Sequence, residues 1–495
     1  MIRFIDFTFR YHGKNHDTLS NINFEIKKGE MIVIAGPSGC GKSTLALALA
    51  GFLFQQDFGL VMGSIEFEGK DISKIPLFEM ADKVGLVQQN PENQFCTLTV
   101  IDELAFGLEN RCLPISEIHQ RTQWALEVVD GQNLVHREIS SLSGGEKQKI
   151  AIASMLAAKP EVLILDEPTS NLDPQASQNL FVVIQNLREI LELTVIIIEH
   201  KLKQLLPYNP RLIIMNHGNI AEQISLRTYL SSKRPRQTPQ TDAHEYQHES
   251  LKVIHVSDFS IAYANKEILS GIDLTIKEGE FISLMGKNGA GKSTLLLSLM
   301  GLLPLSHGSI TLLGCDLKTQ SVSEIAKKVS IVFQNPDHQI FTDTIWHEAT
   351  FAPHNFGLLP SQYEAKTQRL LDACGLTLFK DIHPNKLSYG EKRRLNLVSI
   401  LSYNPKVILL DEILIGQDED NAYFLLNLLK EHSQCGGVVI MAHHQPDLVN
   451  AFSTRTLFLD KGRLILDCPQ ALTEGRLLEL DQPYFLAEAL SLESA

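Results

Sequence analysis

The chain has 495 residues, room for two to four domains of ordinary size, and carries 44 Lys and Arg against 58 Asp and Glu, a net charge of −14. With no long basic run, that balance argues against nucleic acid or another polyanion as the main partner, because neutralising phosphates takes clustered cations. Seven scattered cysteines without a CxxC pair, and no window near eighteen uninterrupted apolar residues, predict a reduced cytosolic chain that does not itself cross a membrane.

An internal repeat sets the number of domains at two. LSGGEKQKIAIASMLAAKPEVLILDEP, from Leu142, returns as LSYGEKRRLNLVSILSYNPKVILLDEI, from Leu387. Ser143 recurs 245 positions on as Ser388, Asp166 245 on as Asp411, Lys42 250 on as Lys292 and His200 243 on as His443. Each half is long enough to bury its own core. The predicted domains are residues 1–232 and 251–495, joined by a polar, proline-broken linker at 233–250.

In chain order, residues 2–34 hold three strand-like runs that end in MIVIA. Tyr11 closes the first run and Tyr263 occupies the matching place in the second half. A tyrosine there can stack on a purine, or simply be a half-buried strand aromatic. Gly36 to Thr44, GPSGCGKST, follows the strand and precedes an apolar helical run, and GKNGAGKST repeats it from Gly286. This is the phosphate-binding loop GxxxxGK[ST] in its strand-loop-helix setting. Gly36, Gly39, Gly41, Gly286, Gly289 and Gly291 let backbone N–H groups close on phosphate oxygens. Lys42 and Lys292 meet the outer phosphates, Ser43 and Ser293 can ligate magnesium, and Thr44 and Thr294 complete the motif.

Gln89 and Gln334 end apolar strands before an Asn-Pro turn, where an amide oxygen can reach a metal. TVIDELAFG and its partner, next along the chain, suit a surface that meets another protein. Ser143, Gly144 and Gly145 open a helix whose N-terminus can receive an anion, as do Ser388 and Gly390 in the second copy. Taken singly, such a turn is an ordinary helix cap. The strands EVLILDE and KVILLDE place Asp166 and Asp411 to hold magnesium, and Glu167 and Glu412 to polarise attacking water. Asp173 and Asp418 close the loops after them. His200 and, by register in preference to His444, His443 are the strand-end histidines that can contact the last phosphate.

Found twice in the same order, this set resembles the ATP-binding subunits of ABC transporters across nearly the whole chain. QNPENQF, QNPDHQIF and TVIDELAFG resemble the ATPases of energy-coupling factor importers for vitamins and transition-metal ions, here fused into one polypeptide. The resemblance implies an α/β fold of two tandem P-loop NTPase domains. Each would have a mostly parallel core sheet, an antiparallel β subdomain and a helical signature subdomain. It also implies ATP with Mg2+ as cofactors and a head-to-tail pairing of the two halves. The expected partners are a transmembrane coupling subunit and a separate substrate-binding membrane protein, with the chain peripheral on the cytoplasmic face. On that pattern Lys42, Asp166 and Glu167 work with Ser388 and Gly390, where Tyr389 replaces a signature glycine and ILIGQD replaces PTSNLD. Lys292, Asp411 and Glu412 work with Ser143, Gly144 and Gly145, so this second site is expected to hydrolyse faster. A fused sugar-importer ATPase and a ribosome-associated twin ATPase are the alternatives. The second loop is intact, unlike the former, and the linker is short, unlike the latter.

Overall fold

The computed structural model describes residues 1–55, 58–170, 172–232, 251–263 and 266–486, and the linker expected at 233–250 lies outside them. The chain divides into two compact units, Met1–Pro235 and Arg236–Ala495.

In the first unit the alternating N-terminal runs become β1 (Ile2–Tyr11) and β2 (Leu19–Ile26), which pair antiparallel. With β4 (Gly59–Phe67) and β5 (Lys70–Asp71) they form a four-stranded sheet in the order β2-β1-β4-β5. The short, wholly apolar runs behave differently. β3 (Met31–Ala35), β6 (Val84–Val87), β7 (Val162–Asp166) and β8 (Thr194–Ile198) are buried at nearly every position. Strands buried on both faces belong in a parallel sheet. With β9 (Arg211–Asn216) and the antiparallel edge β10 (Asn219–Ser225) they line up as β10-β9-β3-β8-β7-β6.

Alternation along these strands splits the core in two. Val33, Leu163, Leu165, Val195 and Ile197 face the helices Val100–Glu109, Ile115–Val128, Gly144–Ala157 and Pro174–Leu191. Ile32, Ile34, Ile164, Ile196 and Ile198 face the helix Lys42–Leu49 and the antiparallel sheet. Each such side chain, fully buried, contributes about 1.5–3 kcal/mol. Polar residues at those positions would break the layers apart.

The second unit repeats the plan. β11 (Lys252–Tyr263), β12 (Lys266–Lys277), β14 (His307–Leu312) and β15 (Cys315–Asp316) form the antiparallel sheet β12-β11-β14-β15. β13 (Phe281–Gly286), β16 (Val329–Val332), β17 (Val407–Asp411), β18 (Val438–Ala442), β19 (Arg455–Asp460) and β20 (Arg463–Pro469) form the larger sheet β16-β17-β18-β13-β19-β20. In both units the parallel strands deliver their C-terminal ends to one edge, which is where ligands bind in open α/β sheets.

Candidate functional site

Each phosphate-binding loop begins where a central strand stops, β3 in the first unit and β13 in the second. Gly36 has φ 153° and Gly286 φ 147°, a region that favours glycine. Space enforces the same choice: a Cβ on Gly36 would come within 2.2 Å of the Met215 carbonyl oxygen, and one on Gly286 within 2.3 Å of that of Leu459. Gly41 and Gly291, with φ 104° and 101°, turn the chain into the helices Lys42–Leu49 and Lys292–Leu299. Lys42 is buried and its Nζ donates to the carbonyls of Gly36 (2.8 Å) and Pro37 (2.9 Å). Lys292 does the same toward Gly286 (2.9 Å) and Lys287 (3.2 Å). Both loops thus surround a lysine with their own carbonyls.

Around the ends of β7 and β17 the carboxylates differ in kind. Burial pushes the Asp166 carboxyl up to about 6, helped by the neighbouring Glu167 charge and opposed by a hydrogen bond with Ser43 and by Lys42. Asp411 is likewise raised by burial to about 6, against a hydrogen bond with Ser293. Glu167 is also buried, which alone would raise it, yet the hydrogen bond and charge of His200 outweigh this and hold it below the usual carboxylate value. Its Oε1 lies 3.1 Å from His200 Nε2, and its Oε2 accepts from Gln89 Nε2 at 2.7 Å. In the second unit Glu412 Oε2 accepts from Gln334 Nε2 at 3.3 Å. Both glutamates adopt left-handed backbone, φ 48° at Glu167 and 52° at Glu412, which costs a non-glycine residue about 1–2 kcal/mol.

The structure corrects one register. His443 is not the residue beside Glu412. Its side chain is buried, with Nε2 2.7 Å from Ser283 Oγ and Nδ1 accepting from the Gln445 N–H at 3.1 Å. Burial, with His444 and Lys292 nearby, lowers its pKa to about 3. His444 instead places Nε2 2.8 Å from Glu412 Oε1. The reason is the strand alignment: Asp166 pairs with Ile198 and Asp411 with Ala442, so the second residue after each strand is His200 in one unit and His444 in the other.

The signature turns are capped helix starts. Ser143 and Glu146 exchange a capping box, as do Ser388 and Glu391, satisfying backbone donors at the turn. Glu146 is held below its ordinary value because the Ser143 hydrogen bonds outweigh the effect of burial. Gly145 is packed: a Cβ there would meet Leu172 Cδ2 at 3.1 Å. Asp173 and Asp418 cap the helices Pro174–Leu191 and Glu419–Gln434, accepting from Ala176 N (2.9 Å) and Asn421 N (2.8 Å). The two tyrosines diverge. Tyr11 is half-buried, with its hydroxyl 3.3 Å from Thr44 Oγ1 and its ring edge-on to Phe9, whereas Tyr263 is exposed.

The turns after Gln89 and Gln334 are closed by their own side chains. Asn90 and Asn335 accept from the backbone two residues on, and Gln94 and Gln339 accept from the backbone of Gln88 and Phe333. Each turn is also tied to the signature helix by an ion pair, Lys147 with Glu92 and Lys392 with Asp337. Glu103 and Glu348, readable in sequence only as acidic surface residues, point inward and accept from backbone N–H groups of the loop before their helix. Leu98, Phe106, Phe341 and Phe351 stay exposed beside these turns. Sequence reasoning set His444 aside in favour of His443 and missed Arg393; a strand-by-strand alignment of the two copies finds the first.

Each unit is therefore a P-loop NTPase of α/β build. Residues 19–170 and 269–414 match the family described as ABC transporter. An ABC transporter ATP-binding protein of Caldanaerobacter subterraneus is 35% identical over 93% of this chain and 90% of its own length. One of Methanosarcina mazei is 31% identical over 95% of this chain and 89% of its own. The solved structure of cbiO1 from Clostridium perfringens, described as part of the ABC transporter complex cbiONQ, is 26% identical, covering 49% of this chain and 99% of that one with a TM-score of 0.43. The chain belongs to the ABC transporter ATP-binding family, with two ATPase domains in one polypeptide. Among the described residues no helix is long and apolar enough to cross a membrane.

Proposed function

We propose that this ATPase energises a membrane importer of the energy-coupling factor type, carrying a vitamin, a vitamin precursor or a transition-metal ion. It would sit on the cytoplasmic face, against a transmembrane coupling subunit that works with a separate substrate-binding membrane protein. The observation that carries this reading is the double attachment of each glutamine turn, with exposed apolar residues following it. Gln89 bonds the Glu167 carboxylate, Glu92 pairs with Lys147 on the signature helix, and exposed Leu98 and Phe106 follow on the surface. The second unit repeats the pattern with Gln334, Asp337 and exposed Phe341 and Phe351. A partner pressing on that surface would bear on the hydrolytic carboxylate and the signature helix together.

Lys42 and Lys292, with the loop N–H groups, would hold the outer phosphates. The donor set fits Mg2+, a hard cation that takes one or two carboxylates and completes its shell with phosphate and water. Ser43 with Asp166, and Ser293 with Asp411, would hold it, with Gln89 and Gln334 as further candidate ligands. Bound there, Mg2+ would neutralise phosphate charge. Glu167, kept ionised by His200, is suited to orient water for in-line attack, and Glu412 with His444 has the same pairing. Head-to-tail pairing of the halves would bring Ser143, Gly144 and Gly145 to the Lys292 site, and Ser388, Tyr389 and Gly390 to the Lys42 site. A tyrosine in place of the signature glycine would encumber the latter, so we expect the Lys292 site to be the faster.

The test is a mild-detergent pull-down of the tagged chain from native membranes, with ATP turnover measured with and without the co-purifying proteins. A small integral coupling protein together with a substrate-binding membrane protein supports the reading. Co-purifying ribosomal proteins, with turnover indifferent to membrane, would overturn it. The rank of the two sites is tested by single substitutions: Glu412→Gln is expected to remove most turnover and Glu167→Gln much less.

A further inference from the structure

Three residues of the second unit's signature helix, Tyr389–Leu401, face its own glutamine turn at positions i, i+4 and i+7, the spacing that lines one side of a helix. Asn396 Nδ2 donates to the Pro336 carbonyl at 3.2 Å. The Tyr389 hydroxyl donates to the Gln334 carbonyl at 3.2 Å. Arg393, 2% exposed, reaches furthest. Its guanidinium donates to the Glu412 carbonyl at 2.8 Å, the Gln334 carbonyl at 2.7 Å and the Tyr389 hydroxyl at 3.1 Å, with the Tyr389 ring 4.9 Å from its centre. The matching positions of the first unit are Gly144, Gln148 and Ala151. Gln148 is 1% exposed and neither atom of its amide has a hydrogen-bond partner.

We propose that Arg393 is a positioning residue for ATP hydrolysis at Glu412, clamping the backbone of Glu412 and Gln334 so that the carboxylate and the amide stay in register. A planar guanidinium holds two carbonyls through donors fixed in one rigid fork, whereas an ammonium on a rotatable stem sets no such separation. The clamp acts where it is needed. The amide-to-carboxylate bond is 3.3 Å at Gln334 and Glu412 but 2.7 Å at Gln89 and Glu167, so in the second unit that bond is the weaker constraint. Glu412 also has a left-handed φ of 52°, which neighbouring contacts must maintain. Tyr389 covers the guanidinium on its outer side. The aromatic substitution in the signature and the arginine four residues on are therefore one adaptation.

The inference rests on Glu412 acting on ATP, as set out above, and needs no membrane partner for its test. Turnover is measured on the full chain in a Glu167→Gln background, which leaves Glu412 as the hydrolytic carboxylate. There Arg393→Gln is expected to lower kcat about tenfold with KM and the affinity for a fluorescent ATP analogue within about twofold, and Arg393→Lys to lower kcat about threefold. In a Glu412→Gln background Arg393→Gln is expected to add nothing, because residues acting as a unit are not additive. Equal losses in both backgrounds, or an unchanged kcat in the first, would overturn the proposal. Should Arg393→Gln not fold, Tyr389→Phe keeps the ring and removes the hydroxyl: a loss of about twofold to threefold in kcat supports the clamp and none overturns it. A harmless Glu412→Gln would instead sink the assignment of Glu412 and the clamp with it. Failure to capture a membrane partner leaves the clamp standing.

Discussion

His444 Nε2 stands 2.8 Å from Glu412 Oε1, and His200 Nε2 stands 3.1 Å from Glu167 Oε1. The two units thus share a carboxylate-imidazole pair, and the adjacent histidine of the second unit serves another purpose. His444→Ala in a Glu167→Gln background is expected to cut turnover at least about tenfold without loss of nucleotide binding. His443→Ala is expected to leave turnover per folded molecule within about twofold but to cost about 1–3 kcal/mol of stability, because it leaves the buried Ser283 hydroxyl with only the long 3.5 Å bond to Asn450 Oδ1. Steady-state kinetics and denaturant melts of the two variants separate the roles. The opposite pattern would restore His443 to the site.

Asp166 and Asp411 are each raised from 3.8 to about 6 by burial. A carboxyl whose folded pKa lies above its unfolded one favours folding while protonated, and that contribution is lost as pH rises through about 6. Each shift is on the order of 3 kcal/mol at 1.36 kcal/mol per unit. Nucleotide-free protein is therefore expected to melt higher at pH 5 than at pH 7.5, with the difference shrinking in Asp166→Asn and Asp411→Asn. Scanning fluorimetry across that range checks it. Mg-ATP is expected to stabilise more at pH 7.5 than at pH 5, since it would favour the ionised carboxylates.

Glycines in the same loop should not be equally sensitive. Gly36→Ala and Gly286→Ala drive a methyl into a neighbouring backbone carbonyl and are expected to cost about 2–4 kcal/mol and to abolish nucleotide binding in the affected unit. Gly39→Ala and Gly289→Ala meet open space, so only the left-handed φ of 78° is strained, costing about 1–2 kcal/mol. Thermal melts with and without ATP rank the four. A Gly39→Ala as damaging as Gly36→Ala would show that a bound ligand occupies that space.

What could be read from sequence was local chemistry with a fixed spacing. The strand-loop-helix around Lys42, the capped helix starting at Ser143 and the acidic ends of β7 and β17 follow from glycines, caps and apolar runs within a few residues. What escaped was decided by distant chain. His443 turns inward because β13 offers Ser283, 160 residues earlier, and two adjacent histidines after a strand carry no mark of which points where. Tyr389 was legible as a departure from the repeat. That its ring lies on Arg393, and that Arg393 spans to Gln334 and Glu412, depends on how a helix meets two loops. The inward turn of Glu103 and Glu348 is hidden for the same reason, since carboxylates that brace a loop read like carboxylates facing water.

The left-handed turn at each hydrolytic glutamate is pinned across the sheet, with the Glu167 N–H on the Ile198 carbonyl and the Glu412 N–H on the Ala442 carbonyl. The histidine that faces each carboxylate leaves that same neighbouring strand two residues later. Acid and imidazole are thus anchored to one backbone seam, which ties their positions together. What differs between the units is what reaches that seam from outside: the loop glutamine, at 2.7 Å in the first and 3.3 Å in the second, and Arg393, which the second unit alone carries at that position.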